Sequence, residues 1–209
     1  MRVPLPTSSS QFRRLVLASS SPRRRELVAA LDLSLPVLIL SSDTDESTPT
    51  DWLPAHIVEQ LALRKARASA EMLQDDDASH SLVIGADTIV VLDGQVLGKP
   101  VDEQDAIRML TELQGKEHEV YTGIALLDTS SGRELVHHRV TRVMMKSMNH
   151  DRIKRYVASG EPMDKAGSYG IQGLGATLVD RIDGCYFNVV GLSLSLLSDM
   201  LAEFQIEVI

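Results

Sequence analysis

The sequence predicts a mixed α/β fold, and three observations carry that expectation. Short apolar runs alternate with stretches of helical period through the first half of the chain. Two long strand-like segments, 120–127 and 135–145, are separated only by the turn residues Asp128-Thr129-Ser130-Ser131-Gly132, so they read as a hairpin, which argues against a purely parallel sheet. The composition is that of an ordinary soluble globular protein: 209 residues, 44% hydrophobic and 24% charged. Such a length allows one domain or two small ones, with roughly 70% of the unfolded chain's surface buried.

Taken in order, residues 1–13 contain Pro4, Pro6, three serines and Arg13 and lack the apolar middle of a secretory signal. They read as a loose N-terminal extension of a cytoplasmic protein, ahead of a folded unit over 14–209. Leu15–Ala18 reads as a buried strand. Arg23–Leu31 is helical, with Leu27, Val28 and Leu31 on one face, and Val37–Leu40 is a second strand. A polar stretch runs from Ser41 to Asp51. Pro54–Met72 is a long helix whose row Ile57, Leu61, Lys65, Ala68, Met72 faces inward, with a lysine where an apolar residue is expected. Asp75-Asp76-Asp77 forms an acidic, solvated turn. Leu82–Ile84 and Ile89–Leu92 are strand, interrupted by Gly85-Ala86-Asp87-Thr88, and Asp93-Gly94 is a hairpin turn. Asp102–Leu113 is helical, followed by the hairpin, a short helix at Arg152–Ala158 and a terminal helix at Leu192–Phe204.

Charge and special residues narrow the function. A net charge of −8 argues against a general nucleic-acid binder but is compatible with a polyanion held in a local basic pocket. No apolar run approaches the roughly 18 residues of a membrane span. The single cysteine, Cys185, excludes an internal disulfide and a cysteine-rich zinc site and reads as a small packing residue.

Five segments could carry chemistry. Ser19-Ser20-Ser21-Pro22-Arg23-Arg24-Arg25 joins a strand to a helix; N–H groups at a helix start, hydroxyls and guanidinium forks suit a phosphate, and equally suit a capped helix with solvated arginines. Asp43-Thr44-Asp45-Glu46 is either an acidic surface loop or a source of oxygen ligands for Mg²⁺ or Mn²⁺. Asp87, set directly after a buried strand, must be paired, hydrogen-bonded or metal-bound; it either closes an Asp–Thr turn on its own backbone or, the favoured reading, binds a cation and activates water. Leu97-Gly98-Lys99-Pro100 lacks the spaced glycines of a P-loop but places a cation where backbone can approach a ligand. Gly160–Gly173 holds four glycines among Asp164, Lys165, Tyr169 and Gln172; it is either a glycine-rich structural loop or, as its length and chemical variety favour, one shaped around a ligand, in which Gln172 suits a nucleobase edge. It does not follow the dinucleotide-binding pattern.

Together SSSPRRREL, GADTIVVLDG, LGKP and DKAGSYGIQG, in that order, resemble the Maf family of nucleoside-triphosphate pyrophosphatases from about Leu15 to near the C-terminus. The resemblance implies an elongated mixed α/β fold, a single catalytic domain of two lobes around a central cleft. It also implies a house-cleaning hydrolysis of a nucleoside triphosphate to monophosphate and pyrophosphate, with a divalent metal. It makes Asp87 the proton acceptor, ties Arg23, Thr88 and Gln172 to substrate choice, and places Ser19, Arg24, Glu46, Lys65, Lys99, Asp164 and Lys165 in the cleft. Asp87 and an acid of the 43–46 loop, taken as Glu46, are the implied metal ligands. The YGIQG form resembles the dTTP/UTP type rather than the 7-methyl-GTP type, and 5-substituted uridine triphosphates fall within the same expectation. Older names of the family point to septum formation, so a nucleotide-binding regulator of division with little turnover is the alternative. A homodimer is compatible with the sequence.

Overall fold

The computed structural model describes residues 12–208; the expected N-terminal extension lies, through residue 11, outside them. The elements, in chain order, are β1 (Arg14–Ala18), α1 (Pro22–Ala29), β2 (Val37–Ile39), α2 (Pro54–Glu71), β3 (Ser81–Leu92), β4 (Gln95–Leu97), α3 (Glu103–Leu113), β5 (Glu117–Asp128), β6 (Glu134–Met145), α4 (His150–Val157), β7 (Val179–Asp183), α5 (Tyr186–Val190) and α6 (Leu194–Ala202), with short 3-10 turns at 75–79 and through 161–178. The seven strands form one sheet of order β2-β1-β3-β5-β6-β7, with β4 folded back on β3. β2, β1 and β3 run parallel, and the remainder pairs antiparallel. The mixed sheet expected from the hairpin is therefore present, and no helix among the described residues is long and apolar enough to cross a membrane.

β3 organises the molecule. The expected break at Gly85–Thr88 is absent: the strand is continuous and buried along nearly its whole length. On one face Leu82, Ile84 and Ala86 join the core under α6, while Val90 and Leu92 join a second core under α3 and α4. On the other face Val83, Ile89 and Val91 pack under α2. Alternation of a strand between two covered faces explains both patterns. Phe12 belongs to the first core, edge-on to Phe204, and the Arg13 N–H donates to the His80 carbonyl at 2.9 Å.

Helix α2 lies unusually close to the sheet. A Cβ on Gly85 would stand 2.1 Å from the Ala62 carbonyl oxygen, and one on Gly123 would stand 2.2 Å from that of Val58. Both glycines exist to let backbone meet backbone. The buried residues of α2 are Ile57, Val58, Leu61, Ala62, Leu63, Ala66 and Ser69, so the inward row departs from expectation after Lys65, and Met72 is exposed. β7 and α5 escaped the sequence reading: β7 is a short edge strand with a polar pattern, and α5 is barely more than one turn long.

Candidate active site

The cleft opens where β3 loses a neighbour. β1 pairs with β3 only as far as Ala18 opposite Gly85, and β4 begins to pair at Val90. Between them, Asp87, Thr88 and Ile89 of β3 face a cleft of about 1150 Å³. The end of β1, the start of α1, the 41–52 loop, α2, the Gly98-Lys99 turn and the 161–173 loop wall it. Ser19, Arg23, Arg24, Glu46, Lys65, Asp87, Thr88, Lys99, Asp164, Lys165 and Gln172 all line this one cavity. The eleven residues singled out from sequence are thus brought together.

At its centre Lys65 Nζ lies 2.6 Å from Asp87 Oδ1 and 2.6 Å from Glu46 Oε1. The side chains of Lys65 and Asp87 are 15% and 9% exposed and that of Glu46 is 52%, so Asp87 forms the floor and Glu46 the mouth. Burial works to raise the Glu46 carboxyl, but the Lys65 hydrogen bond and charge, with Lys99 and Arg24 beyond, hold it below the usual range. Of the acids of the 43–46 loop, Glu46 lines the cleft, while Asp45 turns back onto the N–H and hydroxyl of Ser47 at 2.8 and 2.7 Å. Arg64, donating to the carbonyls of Asp45 and Ser47, holds the loop in place.

The cations are disposed around this centre. Arg23 Nη2 reaches across to Asp164 Oδ2 at 3.5 Å, and Lys165 Nζ bonds Asp164 Oδ1 at 2.7 Å and donates to the Glu161 carbonyl. Burial opposes ionisation of Asp164, but Lys165 and Arg23 hold its carboxyl below the ordinary value. Lys99 stands exposed at the cleft, on a turn whose Gly98 carbonyl accepts the Gly167 N–H at 3.0 Å. Ser21 caps α1 by accepting the Arg24 N–H, and Ser19 Oγ accepts the Ser21 N–H at 3.3 Å.

The Maf-like protein family model matches residues 14–204. The chain belongs to the Maf family. It is 51% identical over 198 residues to a Pelotomaculum thermopropionicum protein named dTTP/UTP pyrophosphatase, covering 95% of this chain and 100% of that one. A Moorella thermoacetica protein of the same name is 52% identical over 195 residues, covering 93% and 97%. A third so named, from Gloeobacter violaceus, is 51% identical over 197 residues, covering 92% and 96%.

In this Maf chain the glycine-rich loop is fixed from below. Glu161 accepts the N–H groups of Leu174 and Gly175, each at 2.9 Å, and the Tyr156 hydroxyl at 3.0 Å; that hydroxyl accepts the Gly170 N–H at 3.2 Å. Gln172 stands exposed at the cleft between these anchors. Tyr169 is buried and shares a 2.7 Å hydrogen bond with His118 Nε2, while His118 Nδ1 has no hydrogen-bond partner among the described residues. Sequence reasoning missed Glu161 and His118 as supports of this loop, because nothing local marks a residue that anchors backbone elsewhere.

Burial pushes the His118 ring down to about 4. The folded state then refuses a proton that the unfolded chain accepts below about 6.5, so stability falls as the pH drops from there towards 4 and changes no further from this cause below it. The expected loss is on the order of 3 kcal/mol. Melting temperatures between pH 4.5 and 7 check this: His118→Gln should flatten the slope, and an unchanged slope would remove His118 as its source.

Proposed function

We propose that the protein hydrolyses dTTP and UTP, with 5-substituted uridine triphosphates, to the monophosphate and pyrophosphate, and that residues 14–209 act as one catalytic domain of two lobes. The observation that carries this reading is the Glu46–Lys65–Asp87 centre, running from the mouth to the floor of a cleft that Arg23, Lys99 and Lys165 also line. The names of the relatives support the substrate class.

A divalent cation fits this centre. Two carboxylate oxygens already converge on a single positive charge, each at 2.6 Å from the Lys65 ammonium. Among the described residues no group of three or more His, Cys, Asp or Glu side chains forms a metal cage. Mg²⁺ or Mn²⁺ held by one or two carboxylates and the substrate's phosphates needs no such cage. Glu46 and Asp87 would hold it, and when bound it would neutralise charge on the phosphates. Arg23, Lys99 and Lys165 bind the triphosphate. Lys65 moves from the carboxylates towards phosphate as substrate enters. Asp87 takes the proton of the attacking water; the water oxygen bonds to a phosphorus of the α–β linkage, and the bridging bond breaks to release pyrophosphate. Positioning and charge neutralisation do most of the work in such a transfer.

Product analysis tests the reading. Purified protein with Mg²⁺ or Mn²⁺ should release pyrophosphate and monophosphate from dTTP and UTP faster than from other triphosphates. Stepwise release of orthophosphate would mark a general phosphatase instead, and tight binding without turnover would mark a regulator. Gln172 is assigned to the base, because an amide matches the donor and acceptors of a uracil or thymine edge. Gln172→Glu should therefore lower kcat/KM for dTTP and UTP relative to 7-methyl-GTP by about tenfold or more, the worth of a hydrogen bond turned repulsive. An unchanged preference across a nucleotide panel would refute the assignment.

A further inference from the structure

Arg24 lines the cleft, yet its guanidinium is engaged by protein. Its Nε donates to the Gly191 carbonyl at 2.8 Å, Nη1 to the Ala86 carbonyl at 2.9 Å, and Nη2 to Thr88 Oγ1 at 3.0 Å. Ala86 and Thr88 flank Asp87 on β3, and the Ala86 carbonyl belongs to the stretch of strand edge left open between β1 and β4. Burial pushes the guanidinium below its ordinary value, with Asp87 pulling it back up and Arg23 adding to the depression.

The hydroxyls beyond Arg24 have only one consistent order. Thr88 Oγ1 is 2.9 Å from Thr122 Oγ1, and Thr122 donates to the Asn188 carbonyl at 3.0 Å. A hydroxyl has one proton to give. Thr122 spends its proton on Asn188, so Thr88 donates to Thr122 and accepts from Arg24. Asn188 is itself held by its side-chain amide on the Val120 carbonyl at 3.0 Å and on Thr141 Oγ1 at 3.1 Å. The chain of bonds runs from α1 through β3 and β5 into α5. It crosses the sheet at the residues lying between the two cores, on the face opposite Asp87.

We propose that Arg24, Thr88 and Thr122 form a directional clamp that positions Asp87. In it Arg24 acts as a positioning residue rather than a phosphate ligand, and Thr88 influences the reaction through the clamp rather than by donating to substrate. Thr122 has no surface exposure and does not line the cleft, so it cannot act by touching nucleotide. The inference rests on Asp87 being the proton acceptor.

Thr122→Val, of nearly equal shape, removes the link. The Asn188 carbonyl keeps the Gly191 N–H at 3.1 Å as a donor, so little else is lost. The expected result is a kcat lower by on the order of ten- to a hundredfold, the scale of a small misplacement of a reacting group, with KM for dTTP within about twofold of the parent. Thr122→Ser should restore kcat. The Thr88→Val, Thr122→Val double variant should be no slower than Thr88→Val alone. Arg24→Lys keeps the charge but not the fork, and should lose kcat rather than raise KM. A parental kcat in Thr122→Val, or a Thr122→Ser as slow as Thr122→Val, would overturn the clamp. So would losses that fall on KM. Thermal melting separates folding from function; if Thr122→Val does not fold, Thr88→Val cuts the same chain from the cleft side and must show the same kcat-selective loss. Asp87→Asn run in parallel separates the two readings: normal turnover there removes the proton acceptor itself, whereas a slow Asp87→Asn beside a normal Thr122→Val removes only the clamp.

Discussion

Asp87→Asn is expected to lower kcat with dTTP by about a hundredfold or more while the protein stays folded. The substitution is nearly isosteric, and its amide has no charge with which to take a proton from water or hold a cation. The position is shielded: the Asp87 side chain is 9% exposed and its Oδ1 sits 2.6 Å from Lys65 Nζ. In the variant Lys65 retains Glu46 at the mouth, so the ammonium is not left without a partner. Steady-state rates of pyrophosphate release, read beside a melting curve, decide the matter. A variant turning over at close to the parental rate would show that the centre of the cleft has been misassigned.

The second large effect falls on folding. Gly123→Ala sets a Cβ 2.2 Å from the Val58 carbonyl oxygen and 2.4 Å from its carbon, and Gly85→Ala sets one 2.1 Å from the Ala62 carbonyl oxygen. The obstacles are backbone atoms in the interior of α2, which cannot rotate aside as a flexible side chain could. The helix must lift from β3 and β5. Overpacking of this kind costs about 3 kcal/mol, the upper end of its usual range, and a melting temperature lower by on the order of 10 °C is expected for either variant. Activity should fall as well, since α2 carries Lys65 and its height above β3 sets the reach to Asp87. A variant that melts with the parent would mean that the helix does not rest on the glycines. At Gly132, where no atom lies within 4 Å of an added Cβ, the clash is absent; there the positive φ of 71° is the constraint.

The hydrophobic pattern alone located β1, α2, α3 and the β5–β6 hairpin, because each is long or bounded by strong turn residues. It lost β3 at Gly85 and Asp87. Both break the apolar run, and both are accommodated only by α2, the glycine beneath the helix backbone and the aspartate against Lys65. Lys65 was visible as a cation in an apolar row, and Asp87 and Glu46 as acids; that the three would meet was not.

Residue type and order determined the Maf kinship, the mixed sheet and the set of charged side chains available to the cleft, since these depend on local pattern and on motifs a few residues long. Tertiary structure decided which of those side chains face a ligand and which face protein. Glu46 rather than Asp45 enters the cleft because Asp45 is consumed by Ser47. Arg24 turns inward because Thr88, 64 positions away, and Gly191, 167 positions away, offer it acceptors. A hydrogen-bonding group is committed by whatever lies within about 3 Å of it, and for these residues that neighbour comes from a distant part of the chain.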